Sequence, residues 1–101
     1  MSSDCKIAFT HDSAQTVVRN ARLGLVYWLM NMHDHFDIKS NPPHEDSDAI
    51  VQECYTLCHQ RFGDAPSSLE GDTPEEQAIY FLKWLQLNGN IVKLCIDDEW
   101  I

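Results

Sequence analysis

The chain predicts an α+β domain that is mostly helical: a short N-terminal strand, three helices, and a C-terminal strand that pairs with the first. Two observations carry this. Three segments repeat apolar residues at helical spacing between Pro- and Gly-marked breaks, and two short alternating runs, Cys5 to Thr10 and Ile91 to Ile96, stand near the chain ends. A third, the 44% hydrophobic fraction, supplies a core despite a formal net charge of −9. At 101 residues, a single domain over 1–101 is expected.

Cys5 to Thr10 reads as a strand, with Ile7 and Phe9 on one face and Lys6 and Ala8 on the other. Asp12 with Gln15 three residues later fits a capping box, with Ser13 as a rival cap, so the first helix is expected from about Ala14 to Phe36. Its stripe is Ala14, Val17, Val18, Ala21, Leu25, Trp28, Leu29, Met32 and Phe36. Leu23, Val26, Tyr27 and Met30 make its second half apolar nearly all round. Such a helix is central to its fold or covered by another chain, which makes Tyr27 and Trp28 candidate anchors of a homodimer.

Asn41-Pro42-Pro43 breaks the pattern. A second helix begins there or at Asp46 or Ser47, buries Ile50, Cys54, Leu57 and Cys58, and stops at Gly63. The segment from Asp64 to Asp72 is a loop. Thr73-Pro74-Glu75-Glu76 is the strongest local signal, an N-cap Thr with Pro at N1 and Glu at N3. The third helix runs from Pro74 to Leu87, buries Ala78, Phe81, Leu82 and Leu85, and ends at Asn88-Gly89. Ile91 to Ile96 is the closing strand. Two lone strands pair with each other, because an isolated strand leaves its backbone unsatisfied.

Sixteen Asp and Glu against seven Lys and Arg give a surface that repels nucleic acid and attracts basic proteins. The seven basic residues are scattered without aromatic interleaving, so direct nucleic-acid binding is disfavoured. Two acidic groups, Glu45, Asp46 and Asp48, and Glu70, Asp72, Glu75 and Glu76, sit at predicted helix N-termini, where they complement the dipole and need no partner. Asp34 and Asp37 fall at a predicted helix C-terminus, where negative charge is unfavourable, and Asp97, Asp98 and Glu99 form an acidic tail beside Trp100. These six residues are the candidate protein-binding set, with Trp100 as anchor.

The expected function is a non-enzymatic, acidic protein-binding module. Basic partners are typically proteins or nucleoprotein complexes that handle nucleic acid, since phosphate binding demands Lys and Arg. Anti-restriction, anti-CRISPR and toxin-immunity proteins, anti-defence inhibitors among them, block such surfaces as broad classes. The alternative is a small metal-binding protein: His33, His35, Asp37 and His44 are the densest set of potential ligands, but no strong zinc spacing is present. No cofactor motif, phosphate loop or nucleophile–base arrangement points to an enzyme.

The four cysteines read as reduced, mostly buried thiols, with Cys54 and Cys58 on the apolar stripe rather than in a metal site. Met1-Ser2-Ser3-Asp4 shows no basic segment leading into an apolar one, and the longest nearly apolar run, Leu23 to Met32, is too short to cross a bilayer. A cytoplasmic protein without membrane contact is expected.

Overall fold

The computed structural model describes residues 4–12, 14–32 and 49–100. The two end segments do form strands, β1 (Cys5–Ala8) and β3 (Lys93–Ile96), and they pair antiparallel with Cys5 opposite Ile96 and Ile7 opposite Leu94. Two shorter strands flank them, β2 (Thr16–Val18) and β4 (Glu99–Trp100), giving an antiparallel sheet in the order β2-β1-β3-β4. Among the described residues, helices α1 (Ala21–Met32), α2 (Ala49–Phe62) and α3 (Pro74–Leu87) join this sheet in an α+β fold.

The first helix starts later than its period suggests. Thr16, Val17 and Val18 belong to β2, paired with β1 at Ile7, Lys6 and Cys5. Their β-branched side chains suit a pleated strand, and β1 offers a partner. Asp12 therefore lies in the β1–β2 connection and caps nothing. Asn20 is the true cap: its Oδ1 accepts the Leu23 N–H at 2.8 Å, and its carbonyl accepts Gly24 N–H at 3.1 Å.

The other ends follow local chemistry. Thr73 Oγ1 accepts Glu76 N–H at 3.1 Å, while the Glu76 carboxylate accepts Asp72 N–H at 3.0 Å, one residue upstream of the reciprocal bond of a capping box. Gly63, at φ 72°, donates to His59 O and closes α2. Gly89, at φ 80°, donates to Gln86 O, and Asn90 N–H reaches Leu85 O, the paired bonds of a Schellman motif ending α3. The starts that the sequence offers for the second helix, at Asn41-Pro42-Pro43, Asp46 or Ser47, lie outside the described residues.

Cys5, Ile7, Val18, Leu94 and Ile96 face the helices and join one buried cluster with Leu25, Leu29, Leu57, Leu82 and Leu85. Fully burying each large aliphatic side chain contributes about 1.5–3 kcal/mol, so this layer contact dominates stability. Helix α1 is central, touching α2, α3, β1 and β2. Gly24 permits its close approach: a Cβ there would stand 3.0 Å from Ile7 Cδ1 and 3.3 Å from Leu82 Cδ1. Phe81 anchors the helical layer, with ring centroids 5.3 Å from Tyr55, 6.3 Å from Trp84 and 6.5 Å from Trp28.

Candidate functional site

The acidic C-terminal run is an ordered β-hairpin rather than a tail. Ile96 pairs directly with Glu99, so Asp97 and Asp98 alone make the connection. Both take left-handed backbone, φ 56° and 62°, as both central residues of a type I′ turn must. Asp tolerates this region better than most side chains, yet Gly or Asn would occupy it more easily. Two adjacent residues thus hold a backbone that their side chains do not favour, a pattern found at functional positions.

The turn projects charge into solvent. The Asp98 side chain is 96% exposed, and its nearest cation is Lys6 Nζ at 4.0 Å, a surface pair of little energetic weight. Trp100 pairs opposite Cys95 in β4 and its side chain is 56% exposed, so it does not fold back into the core. Through the strand registers, Val17, Lys6, Cys95 and Trp100 form one cross-strand row on the sheet face turned away from the helices. Val17 and Trp100 are both exposed, and Lys6 lies between them in the row, on β1. The hairpin and this row place two carboxylates, an indole and an apolar flank on one sheet.

Other candidates fare differently. Trp28 is fully buried against Phe81, so it is a core residue of α1 and not an anchor for a second chain. Packing by α3 covers the face that the sequence left apolar. Tyr27 on the same helix is 39% exposed. His33, Asp34, His35, Asp37 and His44 lie outside the described residues, as do Glu45, Asp46 and Asp48. Among the described residues no three His, Cys, Asp or Glu side chains gather to hold a metal ion.

All four cysteines are buried free thiols, and Cys54 and Cys58 pack in the core as their stripe indicates. Burial pushes the Cys5 thiol up to about 12, helped by the neighbouring Glu75 and Cys95 charges, and the Cys58 thiol up to about 11, helped by Asp64. Cys54 is raised as well, first by burial and then by Cys58 and Glu53. Thiols held protonated in this way are poor nucleophiles and poor metal ligands.

The outward side of α3 is a further surface, outside the residues that the sequence marks as candidates. Tyr80, Lys83, Trp84 and Leu87 line a shallow groove of about 230 Å³. Leu87, 86% exposed, also borders a wider depression of about 580 Å³ with His11, Gln86, Gly89, Ile91 and Val92. The signal was available, since Tyr80, Trp84 and Leu87 repeat at i, i+4 and i+7 opposite the buried Ala78, Phe81, Leu82 and Leu85. Among the described residues no helix is long and apolar enough to cross a membrane. Compared with protein-family models, with curated protein sequences and with solved structures, the chain matches none.

Proposed function

We propose that this protein is a non-enzymatic acidic binding module that inhibits a nucleic-acid-handling protein by occupying its basic surface. Anti-restriction, anti-CRISPR and toxin-immunity proteins act in this manner as broad functional classes. The observation that carries the reading is the Asp97–Asp98 turn, two exposed carboxylates in left-handed backbone beside the exposed Trp100. A two-residue turn between paired strands loses less freedom on binding than an unpaired tail does. Trp100 supplies an amphipathic anchor and the acids supply long-range steering. The net charge of −9 strengthens attraction to any strongly basic protein.

The test is affinity capture from lysate of the source cells at low and high salt, using the wild-type chain, a variant with Asp97, Asp98 and Glu99 all changed to Lys, and Trp100→Ala. The expected result is a basic nuclease or DNA-binding complex held at low salt, weakened at high salt, lost by the charge reversal, and inhibited by added wild-type protein. Equal capture by the reversal variant would remove the hairpin from the interface. A captured protein whose activity is unaffected would remove inhibition.

A further inference from the structure

We infer that the outward face of α3 is a self-association surface, on which a second copy of this chain packs antiparallel across a two-fold axis. This inference does not depend on the hairpin reading. Glu76, Tyr80, Lys83 and Leu87 lie at i, i+4, i+7 and i+11 of one helix, with Trp84 beside them. At 100° per residue they share the face opposite Ala78, Phe81, Leu82 and Leu85, which are buried in the core. Leu87 stands 86% exposed at one end of this face, and Tyr80, Lys83, Trp84 and Leu87 leave an open apolar groove between them.

Charge selects the occupant. On a chain of net charge −9, the middle of this face bears no acid, and its one cation, Lys83, lies two turns from Glu76 along the same side. An antiparallel second copy turns that asymmetry into complementarity. When Trp84 opposes Tyr80 of the second copy, Lys83 comes within side-chain reach of the second copy's Glu76. The two-fold axis repeats both contacts, as an isologous interface requires. Glu76 keeps an acceptor free for this pair, because a carboxylate has two oxygens and only Oε2 accepts the Asp72 N–H. A parallel copy would set Lys83 against Lys83 and Glu76 against Glu76, so the charges also select orientation.

The test is sedimentation equilibrium or light scattering of the untagged chain up to about 100 μM, a concentration that reveals weak dimers. The expected mass rises from 11.6 kDa toward twice that value as concentration increases. Leu87→Glu, at an exposed position that leaves folding intact, should weaken association at least about tenfold. Lys83→Glu alone and Glu76→Lys alone should each be monomeric, with folding checked by circular dichroism. An equimolar mixture of those two variants should dimerise again, since each protomer then offers the opposite charge to the other. A wild-type chain that stays monomeric throughout, a dimer untouched by Leu87→Glu, or a mixture that fails to recover would each overturn the proposal.

Discussion

The Glu75 carboxylate, in the first turn of α3, accepts the backbone N–H of Ala21 at the start of α1, 54 residues earlier in the chain. Its second oxygen lies 3.3 Å from Arg22 N–H. Together with Asn20 on Leu23, this satisfies the three N–H groups that open the central helix. Read from the sequence, Glu75 serves the N-terminus of its own helix. The structure shows the same side chain tying two helix starts together, so its charge acts on α1 as a cap acts, from outside the local sequence.

Removing that link should be measurable. Glu75→Ala leaves two N–H groups at a partly buried helix start without their acceptor, which costs about 1–2 kcal/mol. Glu75→Gln keeps one acceptor and loses the charge, so it should fall between the two. Urea unfolding reads both as a lower midpoint at unchanged slope. An unshifted midpoint in Glu75→Ala would mean that water replaces the carboxylate at no cost.

Much of this architecture was legible because its signals are local. Thr73-Pro74, Gly63 and Asn88-Gly89 mark helix ends within a few residues of chain, and the structure uses each as its chemistry indicates. What escaped depends on distant partners. Val17, Val18 and Ala21 fit a helical stripe, yet a three-residue strand has no period of its own and forms because β1 lies alongside. Trp28 and Tyr27 are equivalent by composition, and only the packing of α3 decides that the first is buried and the second exposed. Asp97-Asp98 lacks the Asn-Gly signature of a two-residue turn, so the candidate binding residues were visible while their geometry was not.

That geometry makes a prediction with an uncommon sign. Asp98→Gly should stabilise the protein by about 0.5–1 kcal/mol, because glycine adopts left-handed backbone without steric cost. The lost pair with Lys6 is exposed and subtracts little. Thermal or urea unfolding checks the sign. If the turn is strained for the sake of recognition, the same variant should bind the captured partner less well while folding better.

Gly71 should resist substitution. Its φ of 137° is a backbone that residues with a Cβ rarely adopt, and a Cβ there would fall 2.6 Å from Glu76 Cβ and 2.9 Å from Gln77 N. The backbone and the first turn of α3 both have to shift for Gly71→Ala, which should cost about 2 kcal/mol or more. Gly63→Ala is the control: it shares a positive φ but meets nothing within 4 Å. It should lose only about 1 kcal/mol, the conformational part, in the same unfolding measurement.

The buried thiols set an alkaline limit on stability. In the unfolded chain a cysteine ionises near 9.0, whereas in the fold Cys5 is held protonated up to about 12 and Cys58 up to about 11, mainly by burial. A folded value raised above the unfolded one means that the protonated state is the native state. The contribution is therefore complete below pH 9 and is lost as pH rises through the folded values, because the unfolded chain alone releases its protons there. The melting temperature should hold up to about pH 9 and fall steadily above it. Native protein at pH 8 should react with a thiol reagent far more slowly than protein in guanidinium, where all four cysteines are open. Rapid native labelling of Cys5 or Cys58 would mean that the sheet–helix layer opens around them well below the cost of global unfolding.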